Sequence, residues 1–486
     1  MAQFKIKIPT SLYISKNTKT SPNGEAIVLK NLIPTTSGGI KLRKGHKNLG
    51  FDEIDFIATY KNSNSLLLFS KNNGLKILNA KYMIVYENLE FKDVPINYIE
   101  TNERLLLFFE NSNVQEIFYH DGTFSIEEVK FNNNQGMIFY KAVRYRERLY
   151  FVQKDSNILY YPGVLAYKGA LKAFDVTNIF NAKGVVINID LLGYQAGSEV
   201  FSNLVVIFNS GDILLFDGVD PDSTTDWKAT RKISTNLTIY KQSINYASNL
   251  LLITSNGLLD IQNVIATNDV ANATNLLIPI QEVIKFERSK IFIHKEYIII
   301  TQSYSNDIYF FDTRLKCFFS ITNYKFNFVE TFNDKLIFLE ASGIVYEAFQ
   351  SKNDDGNAII GEVATSWVDL ETHNNKRITF INCGMFYGSG DYNISTGVYN
   401  NNNITKGTMK KLPNVAPNLP KWSDITPTWK QTEKLWFGNT LGVYKSIKFS
   451  KMGFGRNFSF YFKIESNNVD SFELQDMSID YDIAKN

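Results

Sequence analysis

Residues 202–218 read SNLVVIFNSGDILLFDG. Leu204 to Phe208 is an unbroken apolar run, Asn209 to Asp212 is polar and contains Gly211, and Ile213 to Phe216 is a second apolar run. A strand with one wet face alternates, whereas a continuous run implies that both faces are covered. Asn, Gly and Asp between the runs supply the positive φ that tight hairpins need. The stretch therefore reads as a hairpin buried on both sides, and a lone hairpin cannot cover its own faces.

The same phrase returns along the chain. It appears as NSLLLFSKNNGLKIL from Asn64, ERLLLFFENSNVQEIFYHDGTF from Glu103, ERLYFVQKDSNILYY from Glu147 and SNLLLITSNGLLDI from Ser248. It closes with KEYIIITQSYSNDIYFFDTRLKCFFSI from Lys295 and DKLIFLEASGIVYEAF from Asp334. The spacing, roughly 40 to 55 residues, matches a four-stranded propeller blade and is too long for a leucine-rich or ankyrin unit. Helical spacing is hard to find. The repeats predict a β-propeller of about seven blades over residues 51–350.

After SKNDDGNAII, residues 351–360, the phrase stops. Of the 5 Trp, Trp367, Trp422, Trp429 and Trp436 lie beyond this point, on either side of and within a polar connector at 399–424. Phe458, Phe460, Phe462 and Ile464 alternate with Ser459, Tyr461, Lys463 and Glu465, and Met477, Ile479, Tyr481 and Ile483 alternate likewise. This reads as a C-terminal β-sandwich over 351–486. Residues 1–50 carry Lys5, Lys7, Lys16, Lys19, Lys30, Lys41, Arg43, Lys44 and Lys47 against Glu25 alone, which reads as an extended basic N-terminal arm. The fold expected is thus all-β: arm, propeller, sandwich.

Of 486 residues, 44% are hydrophobic and 14% aromatic, and 28 Gly against 11 Pro fits a globular chain. A net charge of +2 argues against strong bulk attraction to nucleic acid. The sequence has no signal-peptide h-region and no run of ~20 apolar residues, so folding in a reducing cytoplasm is expected. Cys317 and Cys383 are too few for a disulfide framework and lie far from His46, His120, His294 and His373, so no metal set is expected.

GGIKLRKGHK at 38–47 places five residues between Gly39 and Gly45 and follows with His46, so it is not a phosphate loop. Asp220, Asp222 and Asp226 lack the EF-hand order and read as a solvated turn. Glu127 with Glu128 and Asp354 with Asp355 are adjacent, hence on opposite faces of a strand and unable to share a substrate. His120 reads as a hairpin tip and His294 as a buried, hydrogen-bonded histidine. No nucleophile elbow occurs. The expected catalytic, cofactor and metal residues are none. Arg144, Arg146 and Arg148, interleaved with Tyr140, Tyr145 and Tyr150, read as one strand face that meets a neighbouring subunit or, alternatively, nucleic acid. With Lys41, Arg43, Lys44 and Lys47 they are the expected partner-binding residues.

Several passages resemble one family. GGIKLRKGHKNLG before the first blade, LVVIFNSGDILLFDGVDPD from Leu204, DIYFFDTRLKCFFSI from Asp307 and SIKFSKMGFGRNFSFYFKIESNNVDSFELQDMSIDYDI at the end are similar to the packaged-DNA stabilisation, or tail-nozzle, proteins of short-tailed bacteriophages. The resemblance implies a structural virion protein without catalytic residues. It further implies a ring, a hexamer, beneath the portal and adaptor, contacting spikes, fibres or a needle, with duplex DNA sliding through without sequence recognition. The alternatives are a receptor- or glycan-binding tail protein, for which Tyr167 and Phe174 are the exposed-loop aromatics, and a propeller enzyme.

Overall fold

The computed structural model describes residues 2–14, 22, 24–132, 136–177, 179–196, 199–223, 225–246, 248–270, 272–371, 374–400, 403–407, 409–413 and 443–484. The connector from residue 414 onward, with Trp422, Trp429 and Trp436, lies outside the described residues. The chain divides into two compact units, one of residues 49–305 and 325–346, the other of residues 1–48, 306–324 and 347–486. This replaces the expected division at 50 and 350: the second unit is built from three separate stretches of chain.

The first unit is a β-propeller. Its sheets are meanders of consecutive antiparallel strands: four strands each within 56–88, 97–128, 139–175 and 186–234, and three within 239–260. Each begins with an inner strand: β1 (Phe56–Tyr60), β2 (Asn97–Thr101), β3 (Phe139–Tyr145), β4 (Val186–Ala196) and β5 (Ile239–Tyr246). Two further strands take the same place, β6 (Ser289–His294), paired with Tyr297–Gln302, and β7 (Phe326–Phe332), paired with Lys335–Glu340. Neighbouring inner strands lie side by side from β2 through β7, and β7 lies beside β1.

The repeated sequence phrase is the turn after each inner strand followed by the second and third strands of the sheet. Thr101 pairs with Arg104 and Phe332 with Lys335, leaving two-residue turns with positive φ at both positions: Asn102 (48°) with Glu103 (60°), and Asn333 (49°) with Asp334 (61°). These twist with the strands they join. Between adjacent sheets lie apolar clusters. Leu106, Phe108, Leu149 and Phe151 join the sheets starting with β2 and β3, and Tyr150, Val206, Phe216 and Trp227 join the next pair. Ile57, Leu66 and Leu68 pack on Phe332, Ile337 and Leu339, which closes first sheet on last.

One place departs from the all-strand reading. After Gly257–Asp260 the chain turns into a helix, Ile261–Thr267, where the Asp260 carboxylate caps the Asn263 amide at 2.8 Å. A 3₁₀ segment, Asn272–Val283, follows.

In the second unit the described residues up to Asn48 are not an extended arm. Ala2–Ile6 pairs with Phe472–Ile483, Ala2 opposite Tyr481. Ala26–Lys30 lies between Ile359–Thr365 and Cys317–Ile321, and the hairpin Leu32–Pro34 with Ile40–Leu42 extends the sheet of Phe472–Ile483. The reason is alternation: Ile6, Ile8, Ala26, Leu29, Leu32, Ile40 and Leu42 are buried while lysines between them face out. Counting cations concealed that pattern. In the C-terminal strand Ser459–Asn468, Phe460, Phe462 and Ile464 are buried as expected, and the Phe462 ring stacks on Phe472 of the other sheet at 6.1 Å. In Phe472–Ile483 the buried set shifts from Leu474 to Met477, because the register slips opposite Gly384 and Met385.

Arg43 is completely buried and forks onto Asp354, Nη1 to Oδ1 at 2.7 Å and Nη2 to Oδ2 at 2.5 Å, while Nε donates to Asn31 Oδ1 at 2.8 Å. Asp354 is thus a buried partner, and only Asp355 of that pair is exposed. Removing one member of a buried ion pair strands the other charge. Arg43→Met is expected to lower unfolding free energy by about 3–5 kcal/mol, read as a shift of the urea midpoint, and Arg43→Met with Asp354→Leu should recover part of the loss. A single variant as stable as the parent would contradict this.

Candidate functional site: the axial cavity

The inner strands of the propeller are tied to one another by side chains. Between β1 and β2, the Glu100 carboxylate accepts from the Lys61 and Asn62 amides at 3.0 and 2.9 Å. Between β2 and β3, Arg144 donates to Asn102 Oδ1 at 3.1 Å. From β3, Lys141 Nζ reaches Asn188 Oδ1 at 2.8 Å and Asp190 Oδ2 at 3.2 Å on β4. The same Asp190 accepts from Ser243 and Asn245 of β5. Gln242 of β5 clasps the Ile291 peptide of β6, donating to its carbonyl at 2.5 Å and accepting from its amide at 3.0 Å. His294 of β6 bonds Thr331 of β7 through Nδ1 at 2.9 Å. Glu330 of β7 accepts from Tyr98 of β2 at 2.7 Å, and Thr59 of β1 lies 3.4 Å from the Tyr98 hydroxyl. The links run in a closed circuit around the axis.

The leading parts of β1, β2, β3, β5, β6 and β7 line a cavity of about 830 Å³. Its wall is aromatic, with Tyr98, Tyr140, Tyr240, Phe292 and Phe328, and carries Lys141, Lys154, Lys241, Lys290, Glu110, Glu287 and Glu330. Desolvation raises the Glu330 carboxyl above its ordinary 4.5, against hydrogen bonds from Tyr98, the Thr331 amide and Thr59 that pull it down. Tyr98 is pushed well above 10.0 by burial and by the adjacent Glu330 charge. Desolvation also lowers the Lys290 ammonium from 10.5. Lys241 Nζ lies 5.8 Å from the Tyr140 ring centroid and Lys290 Nζ 5.6 Å from that of Phe328.

Of the residues expected from sequence, Arg144 joins the axial links, the others fall elsewhere, and together they are not one site. Arg144, Arg146 and Arg148 do not share a strand face: Arg146 sits at positive φ in the turn after β3, and Arg148 opens the following strand opposite Tyr145. Arg146 pairs with Asp217 at 2.9 Å and Arg148 with Asp220 at 3.1 Å. Lys41, Lys44 and Lys47 are exposed on the other unit, whereas Arg43 is interior. Asp222 pairs with Lys172, and Asp226 accepts the Val219 and Asp220 amides at 2.7 and 2.8 Å, so these carboxylates staple loops. Phe174 packs against Trp227 and Tyr167 against the cluster of Phe139 and Phe151, so neither offers a free glycan platform. His120 is an exposed hairpin end and His294 is buried and bonded, each in its expected setting.

Sequence reasoning singled out Tyr140, Arg144 and His294 but missed the other axial residues, because it followed apolar runs, which mark second and third strands. The signal lay just upstream, in segments such as IYKQSINY and FNFVETF, where polar side chains interrupt the apolar ones. Among the described residues no group of three His, Cys, Asp or Glu converges as a metal set, and no helix is long and apolar enough to cross a membrane.

No family model matches the chain, and no curated protein matches it. Among solved structures it is similar to the computationally designed Ika8 protein, with TM-score 0.40 and 7% identity over 63% of this chain and 100% of that one. It is similar to the Cps50 (Swd1) β-propeller domain of Myceliophteria thermophila, with TM-score 0.43 and 10% identity over 64% and 100%. It is also similar to BamB from Moraxella catarrhalis, with TM-score 0.36 and 9% identity over 72% and 98%.

A carboxyl whose pKa is raised on folding favours the folded state most below its unfolded pKa, and that contribution fades as pH rises through the folded value. Glu330→Gln removes the titration while keeping an acceptor for Tyr98. The variant is therefore expected to gain stability over the parent at pH 7 relative to pH 4.5, measured by urea midpoints. An equal difference at both pH values would show that Glu330 is not desolvated.

Proposed function

We propose that this chain is a non-enzymatic structural subunit of a short-tailed bacteriophage tail. In this reading it forms a nozzle or hub ring beneath the portal–adaptor complex, extends the DNA channel and helps retain packaged DNA until ejection. The observation that carries the reading is the closed circuit of side-chain links around the inner strands. It holds the propeller as a stiff block, and a ring of stiff blocks keeps a channel of fixed bore. The likeness of GGIKLRKGHKNLG, LVVIFNSGDILLFDGVDPD and the C-terminal strands to tail-nozzle proteins supplies the biological setting.

We count the hairpin of β6 with Tyr297–Gln302 as a radial unit beside the six sheets that begin at β1 to β5 and β7, which gives seven blades. The two sheets joined by the Phe462–Phe472 stack are read as a β-sandwich completed by the N-terminal strands. At about 830 Å³ the axial cavity is the size of a small-molecule pocket and too small for a duplex, so on this reading the DNA channel lies between copies, in a hexamer. The near-neutral net charge of +2 suits DNA that must slide. Spikes, fibres or a needle would dock on the same ring, placing the protein in the virion after assembly in host cytoplasm.

The exposed Lys41, Lys44 and Lys47 are the cations left for the adaptor or portal once Arg43 is interior. Negative-stain imaging of the protein mixed with its connector should show a six-membered annulus, and isolated monomers would overturn the proposal. Lys41→Glu, Lys44→Glu and Lys47→Glu together should leave the melting curve within ~0.5 kcal/mol of the parent yet abolish joining to the connector.

A further inference from the structure

The geometry points to the axial cavity as a binding site for a small organic anion, a carboxylate or phosphate carried on a sugar or ring, gripped by Lys241 and Lys290. Both lysines line the same space, from neighbouring inner strands that the Gln242–Ile291 clasp holds in register, and their ammonium groups lie over Tyr140 and Phe328 of its wall. Neither has a carboxylate within ion-pair distance among the described residues; each instead lies over an aromatic ring, Lys241 over Tyr140 and Lys290 over Phe328. The contrast is with Lys141 deeper in, whose charge Asp190 already answers at 3.2 Å. A cation over a ring keeps its remaining N–H groups for another acceptor, and the partial desolvation that depresses Lys290 is offset when an anion arrives. Tyr240, Phe292 and Phe328 supply flat apolar wall for the body of such a molecule, and the volume lies within the usual range for ligand pockets. Charge selects the ligand and the rings hold its body.

This inference is independent of the ring proposal, since it concerns the isolated subunit. The test is calorimetric titration of the full chain with glucose 6-phosphate, glucuronate and glucose. Binding of either anion and not of glucose is expected, the anion that binds identifying phosphate or carboxylate as the source. Lys241→Gln with Lys290→Gln should weaken it about tenfold or more, whereas Lys241→Arg with Lys290→Arg should retain it and Lys71→Gln, on a turn away from the cavity, should leave it unchanged. No heat with either anion, equal binding of glucose, or unaltered affinity in the folded double Gln variant would overturn the assignment.

Discussion

A ring of sheets stands or falls on how its ends meet. Here closure is made twice, once in grease and once in polar contacts. Ile57, Leu66 and Leu68 bury against Phe332, Ile337 and Leu339, a non-directional attraction that any good fit would satisfy. The Tyr98–Glu330 hydrogen bond with Thr59 beside it is directional, so it fixes how the first strands lie against the last. Everything else in the propeller, from the tight turns to the aromatic clusters between sheets, presupposes that fixed circumference.

Charge burial follows a single rule across both units. Glu116 is almost wholly enclosed and is met by Lys168 at 2.9 Å and Arg104 at 3.7 Å. Asp212 is drawn below its usual value, because hydrogen bonds from Ser234, the Lys183 amide and Lys232 outweigh the cost of its burial. Arg43 and Asp354 complete the pattern. Such pairs add little net stability compared with a hydrophobic replacement, but each tolerates only one geometry.

How much of this was legible beforehand depended on which strand was being read. Leu204–Phe208 announces itself because both of its faces are dry, and the two-residue turns announce themselves through Asn, Asp and Gly. β5 does not, since Gln242 and Ser243 spend their polarity on the inner strands to either side and resemble loop residues when read singly. The phrase beginning at Ser248 was recognised, but its fourth member is a helix, set by the Asp260 cap, and that is a local signal no repeat count detects. The N-terminal stretch was misread for the opposite reason: its lysines are conspicuous, and the isoleucines and leucines between them, which decide its placement, are not. Arg43 shows the limit of reading charge from sequence, because only the distant Asp354 and Asn31 make its burial possible.

The pairing of Ala2 with Tyr481 sets a clock on synthesis. Ala2–Ile6 leaves the ribosome long before its partner strand Phe472–Ile483, so Ile6 and Ile8 wait exposed while the residues between the two strands are translated. The propeller's own contacts run between successive meanders and can settle as they emerge. Nascent chains should therefore carry an ordered propeller and an unsatisfied Ala2–Ile6 strand, a state in which a chaperone holding that strand would determine yield.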